Sequence, residues 1–172
     1  MKTEFKTTYI EIQQFRQLWI WLLIIVTGLS SVGVFAYGFY EQIILGQTFG
    51  NKPMSDNVLT ISFVGATFFF ILLVLLFVYT KLTTMIDDSG ISYKFFPFHL
   101  SFHKITWDQI ESYEVITYKP IREYGGWGIR FGWNKKAYNV SGNIGLSVQL
   151  KTGKKVLFGT QKEKELKDFL EN

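Results

Sequence analysis

At 172 residues, with 48% hydrophobic and 18% aromatic side chains, the chain carries more apolar material than a soluble domain of this length needs. A formal charge of +4 and a sequence pI near 9.2 do not mark a nucleic-acid tract, because 14 of the 18 basic residues lie after residue 80, interleaved with 10 of the 14 acidic ones. The absence of cysteine excludes disulfide frameworks, thiolate metal sites and cysteine nucleophiles.

Residues 1–17 read as a cytoplasmic N-terminal tail. Residues 18–40, LWIWLLIIVTGLSSVGVFAYGFY, contain no Asp, Glu, Lys or Arg, and neither do residues 58–79. At 1.5 Å rise per residue, each run reaches about 33–35 Å, enough to cross a hydrocarbon core of about 30 Å. Trp19, Trp21, Tyr37 and Tyr40 bracket the first run and Tyr79 closes the second, where amphipathic rings suit the two interfaces. Buried core helices are the alternative, but uncharged runs this long exceed ordinary globular helices. A cleaved signal peptide is the other rival for the first run, with Val34-Phe35-Ala36 as a poor cleavage pattern.

Between the runs, residues 41–57 form an extracytoplasmic loop whose one basic residue is Lys52, whereas Lys2, Lys6 and Arg16 precede the first span and Lys81 and Lys94 follow the second. The positive-inside rule then places both termini in the cytoplasm and the protein in the inner membrane. Gly28, Ser30, Ser31 and Gly33 are expected to pack closely against Gly65 and Ala66. Neither span carries an ionisable residue of the kind that marks a transport pathway.

From residue 80 to the end the pattern changes to short alternating strands with turns between them. Strands are expected over residues 82–87, 91–95, 112–118, 129–133, 138–140, 144–150 and 155–158, with residues 100–103 as a further candidate, and six or seven strands fit into the region. Asp88-Ser89-Gly90 turns the first hairpin, and Thr106 caps a short helical turn bearing Trp107 and Ile110. Thr160 and Glu163 form a capping-box signature ahead of a helix with Leu166, Phe169 and Leu170 on one face.

Several chemistry-bearing groups have plainer readings. Asp87 and Asp88 belong to a turn rather than a carboxylate pair. His99 and His103 have i, i+4 spacing but no third ligand at obvious spacing, so structural histidines are expected. Gly125-Gly126-Trp127-Gly128 lacks the Lys-Ser or Lys-Thr of a phosphate loop and reads as a tight turn around a packed tryptophan. Lys135, Lys136, Lys151, Lys154 and Lys155 occupy neighbouring turns, where they either solubilise the surface or face anionic headgroups.

The segments Thr84-Met85-Ile86-Asp87-Asp88-Ser89-Gly90-Ile91, Ile105-Thr106-Trp107-Asp108-Gln109-Ile110, Gly125-Gly126-Trp127-Gly128-Ile129-Arg130, Ala137-Tyr138 with Val140 and Gly142, and Gly153-Lys154-Lys155 onward to Gly159-Thr160 resemble the bacterial pleckstrin-homology-like domains found beside transmembrane helices. The resemblance covers residues 80–172. It implies a split barrel of about seven strands closed by a C-terminal helix, in an α+β membrane protein with a two-helix transmembrane hairpin. The expected function is a non-enzymatic, membrane-anchored module that binds a protein partner or itself, with anionic-lipid sensing as the alternative. No cofactor, metal, nucleic acid or small-molecule substrate is expected.

Overall fold

The computed structural model describes residues 8–171. The stretch read as residues 1–7 of the tail, with Lys2 and Lys6, lies outside the described residues. The chain divides into two compact units: Arg16–Val78, and a second that joins the segment ending at Phe15 to everything from Tyr79 onward.

The first unit holds α1 (Leu18–Phe39), which runs on as a π-helical turn over Tyr40–Ile44, and α2 (Asp56–Tyr79). Both are long and apolar enough to cross a membrane. The π-helical turn takes up the start of the segment expected as a loop. The helices meet through a ring against a glycine rather than through small residues on both sides. A Cβ on Gly28 would collide with the Phe70 ring, while Gly33 and Gly65 face open space. Phe39 and Phe63 pack with ring centroids 5.5 Å apart.

The second unit contains two sheets and a C-terminal helix. One sheet has the order β1-β2-β3-β4, with β1 (Tyr9–Gln14), β2 (Lys81–Asp87), β3 (Gly90–Phe96) and β4 (His103–Ile105), all antiparallel. The other has the order β5-β8-β9-β7-β6, with β5 (Ile110–Thr117), β6 (Gly128–Gly132), β7 (Lys135–Asn139), β8 (Ile144–Leu150) and β9 (Lys155–Gly159). Within it β7 runs parallel to β9. A capped 3₁₀ turn at Trp107–Gln109 links the sheets, with the Thr106 side chain bonded to the third helical position and Gln109 reaching back to the Thr106 N–H.

Residues 100–102, expected within a strand, lie in the loop before β4. Lys135 and Lys136, expected in a turn, lie in β7, and Lys155, read both as a turn lysine and as the start of a strand, lies in β9. Two further elements are unexpected from the sequence. The segment expected as a tail supplies β1, which pairs with β2 from Tyr9↔Ile86 to Gln14↔Lys81. Its alternation is inverted: Glu11 and Gln13 are buried, while Ile10 and Ile12 are exposed. The second departure is α3 (Pro120–Tyr124), which has Pro at its start and Gly125 in the left-handed conformation at its end, so both punctuation signals were present in the sequence.

One core joins both sheets and the terminal helix. Leu82, Ile86, Ile91 and Phe95 from the first sheet meet Tyr138, Leu146, Val148 and Phe158 from the second, together with Val140 just after β7. α4 (Glu163–Glu171) adds Leu166, Phe169 and Leu170, the face expected from their spacing. A smaller cluster of Tyr118, Ala137 and Leu157 lies on the other face of the second sheet, as strand alternation requires, with Tyr124 of α3 edge-on to Tyr118.

Candidate functional site

The ladder brings two hairpin tips together at one end of the second sheet. β6 ends at Gly132 and β7 begins at Lys135; β8 ends at Leu150 and β9 begins at Lys155. Because β7 and β9 are parallel, Lys135 and Lys155 are register partners, and the Lys155 N–H donates to the Asn134 carbonyl at 2.9 Å. The second tip is closed by the Leu150 N–H on the Lys154 carbonyl and the Gly153 N–H on the Leu150 carbonyl. Asn134, at φ 57, and Gly153, at φ 78, take the left-handed conformations that these turns demand.

All five lysines singled out in the sequence therefore lie at one sheet end, but they do not form one face. Lys135 is on the side of Ala137 and Leu157, and Lys136 on the side of Tyr138, as neighbours in a strand must be. Lys135 is also committed locally: its Nζ donates to the Glu123 carbonyl at 2.8 Å and sits 4.8 Å over the Tyr124 ring. Lys136 lies 5.4 Å over the Phe131 ring. Lys151, Lys154 and Lys155 are exposed. Residues 131–136 and 150–156 contain no acidic residue.

Between the lysines stands apolar surface that the sequence reading did not mark as functional. Trp133 is 95% exposed and Phe131 72% exposed. Their i, i+2 spacing in the sequence reads as one core face, but β6 ends at Gly132 and Trp133 lies in the turn beyond it. A tryptophan presented at a hairpin tip beside lysines combines an amphipathic ring with cationic groups, the side-chain types that suit a membrane–water interface.

The glycine-rich segment is a structural knot. Gly125, Gly126 and Gly128 all have positive φ. The Trp127 indole N–H donates to the Gly142 carbonyl at 2.9 Å, and the Gly128 N–H donates to Asn139 Oδ1 at 2.9 Å. Buried Asn139 in turn donates to the Tyr118 hydroxyl at 2.9 Å. Arg130 lies in β6, close enough that a Cβ on Gly126 would crowd its guanidinium.

His99 and His103 do meet, with ring centroids 4.3 Å apart, but in a loop and the strand after it rather than on a helix. His103 stacks on Tyr93 at 5.5 Å, and Tyr93 packs on Tyr138 at 4.6 Å. His99 Nδ1 accepts the Phe95 N–H at 3.3 Å, and burial, reinforced by His103 and Lys136, pushes its pKa down. Burial likewise pushes the Tyr138 phenol up. Among the described residues no three His, Cys, Asp or Glu side chains gather into a metal set. Asp87 serves its turn: the Ser89 hydroxyl bond holds its carboxyl below the usual range.

Sequence reasoning also missed Glu11. It is 3% exposed, and its Oε2 accepts from the Tyr9 hydroxyl and the Thr160 hydroxyl, both at 2.7 Å. Its Oε1 accepts the Gln161 N–H at 2.7 Å, and Gln13 Nε2 donates to the Gly159 carbonyl at 2.6 Å. These bonds tie the N-terminal strand to the junction of β9 and α4. Thr160 is thus spent on Glu11 and on the Lys162 N–H, while Glu163, its expected capping partner, pairs with Lys167 at 2.7 Å.

No protein-family model matches the chain, and no curated protein matches it.

Proposed function

We propose that this chain is a non-enzymatic module anchored in the inner membrane by α1 and α2, with both termini cytoplasmic, and that its β unit is a pleckstrin-homology-like split barrel that binds anionic lipid headgroups. The observation that carries the reading is the pair of stitched hairpin tips, which bring Lys136, Lys151, Lys154 and Lys155 to the sheet end that also carries exposed Trp133, while Lys135 is held by the Glu123 carbonyl and the Tyr124 ring. Each lysine near an anionic surface contributes about 1 kcal/mol, so several acting together matter even where one does not. Supporting the membrane reading, the helical segment leaves the β unit at Gln14 and returns at Lys81, which are ladder partners. Two adjacent attachment points need the same side of the bilayer, as a two-span hairpin provides.

The test uses the full chain, whose lack of cysteine permits one engineered label. With Thr152→Cys carrying an environment-sensitive dye, nanodiscs containing phosphatidylglycerol should give a more apolar signal than phosphatidylcholine nanodiscs. That difference should vanish at about 0.5 M salt, where the screening length is a few ångströms. The same difference should be lost when Lys136, Lys151, Lys154 and Lys155 become Gln. Identical signals in the two lipids overturn headgroup binding.

One observation favours a second reading, docking of a protein partner or a second copy. β1 is the end strand of its sheet, and Ile10 and Ile12 face outward from it. Crosslinking from Ile12→Cys to a second chain in native membranes, unchanged by the lysine substitutions, would establish it in place of the lipid reading.

A further inference from the structure

The loop between β3 and β4 carries a concentration of apolar side chains at its surface. Leu100 is 79% exposed, Phe98 62% and Phe102 49%. Lys94 lies over the rings of Phe96 and Phe102, at 5.9 and 5.8 Å. The projecting side chains are not the product of a slack loop. The His99 N–H donates to the Phe95 carbonyl at 2.8 Å while His99 Nδ1 accepts the Phe95 N–H, so the chain is clipped at its base and Phe98 and Leu100 stand on either side of the clip.

Register and chain length bound how far from the end of α2 this loop can begin. Phe96, the last residue of β3, is the ladder partner of Lys81. Lys81 is separated from the last residue of α2 by Thr80 alone, and it also pairs with Gln14, from which the chain continues toward α1 at Leu18. Paired strands place partner Cα atoms about 5 Å apart, and two residues of chain reach at most about 7 Å, so Phe96 begins its loop within about 12 Å of Tyr79. A span ends at the interface, a layer roughly 5–7 Å deep on each side of the hydrocarbon. At the opposite end of the same ladder, Asp87, Asp88 and Ser89 make a polar turn. The two ends of one hairpin thus differ as an interfacial end and an aqueous end should.

We propose that residues 97–102 are a second, apolar membrane contact, in which Phe98, Leu100 and Phe102 enter the bilayer interface beside the spans and Lys94 reaches from the ring faces to the headgroups. The occupant of this surface is the lipid in which the chain's own helices sit, since the ladder holds the loop within reach of it. The proposal rests on the membrane reading above but not on the lysine tips. It is driven by apolar transfer, so it persists in neutral lipid and at high salt, where headgroup attraction is lost. Docked through this loop as well as through its two chain connections, the β unit is restrained in its orientation to the bilayer rather than swinging on the connections alone.

The test begins with flotation of the full chain with phosphatidylcholine vesicles. Failure to float, or release by carbonate, sinks the membrane reading and this proposal together. For a chain that floats, a polarity-sensitive dye on Ser101→Cys should report an apolar setting in phosphatidylcholine nanodiscs at high salt. It should be quenched by lipid-borne nitroxide and protected several-fold from aqueous iodide relative to Asp88→Cys. Adding Phe98→Ser and Leu100→Ser should return the Ser101 label to water; both side chains are exposed, so an unchanged thermal midpoint verifies the fold. A Ser101 label as open to iodide as the one at residue 88 overturns the loop contact while leaving the anchored module intact.

Discussion

Gln14 and Lys81 face each other across the β1–β2 ladder, at the point where the chain leaves the sheet for its apolar helices and the point where it returns. The helical pair is therefore an insertion between two neighbouring strands of one β unit, not a segment placed ahead of a complete domain.

This arrangement makes a prediction about dissection. A fragment of residues 80–172 lacks β1, leaves the β2 edge open and strips Glu11 and Gln13 from Thr160, Gln161 and Gly159. It should give poorly dispersed amide NMR spectra and a broad thermal transition. Joining residues 8–14 directly to 81–172 through an Asn-Gly turn should restore dispersion and cooperative melting, because the two strands are already antiparallel neighbours.

A second prediction concerns the buried carboxylate. Removing it by Glu11→Leu leaves the Tyr9 hydroxyl, the Thr160 hydroxyl and the Gln161 N–H without their acceptor in a dry place. The expected loss is on the order of 3 kcal/mol, read as a lowered unfolding midpoint of the joined β unit. Thr160→Val, which removes one donor, should cost less. The double variant should be less destabilised than the sum of the two, since both act on one network.

Stability should also respond to pH through His99. In the folded chain His99 titrates below its ordinary value of 6.5, chiefly because burial disfavours the imidazolium, with His103 and Lys136 acting in the same sense. The unfolded chain therefore binds more protons between the two values, and stability rises with pH there. The contribution of neutral His99 is present above pH 6.5 and is lost as pH falls below it. Protonation also removes the Nδ1 acceptor of the Phe95 N–H. The midpoint should drop between pH 7.5 and 5.5, and His99→Gln should flatten that dependence.

The hairpin tip should be dispensable for folding. Trp133→Ser removes a side chain that is 95% exposed, so the unfolding free energy should change by no more than about 0.5 kcal/mol. Differential scanning of the variant checks the stability, and the labelled-turn assay at Thr152 checks the loss of binding. Asn139→Ala is the contrasting case. It deletes bonds to Gly128 and Tyr118 inside the core and should cost about 2–3 kcal/mol without touching the tip.

Sequence alone determined the apolar helices, the turns and most of the strands, because those are written in local signals: uncharged runs, Asp-Ser-Gly and Thr-Gly-Lys punctuation, and the alternation of Ile144, Leu146, Val148 and Leu150. The helix face of Leu166, Phe169 and Leu170 was legible for the same reason. The 3₁₀ turn after Thr106 was marked by its capping residue.

Only the tertiary structure decided what those elements do together. β1 was illegible as part of the β unit because Glu11 and Gln13 point inward beside Tyr9 while Ile10 and Ile12 point outward, a pattern that makes sense only once Thr160 and Gln161 arrive from the far end of the chain to donate to Glu11. The lysines were visible as residues, but the meeting of Lys135 with Lys155 follows from the parallel pairing of β7 with β9, and the engagement of Lys135 by Glu123 follows from the placement of α3. Trp133 looks like core in the sequence and is the most exposed large hydrophobic residue among the described residues, because alternation does not say where the strand ends and the turn begins. Local chemistry fixes which segments form; long-range pairing fixes which of their side chains remain at the surface.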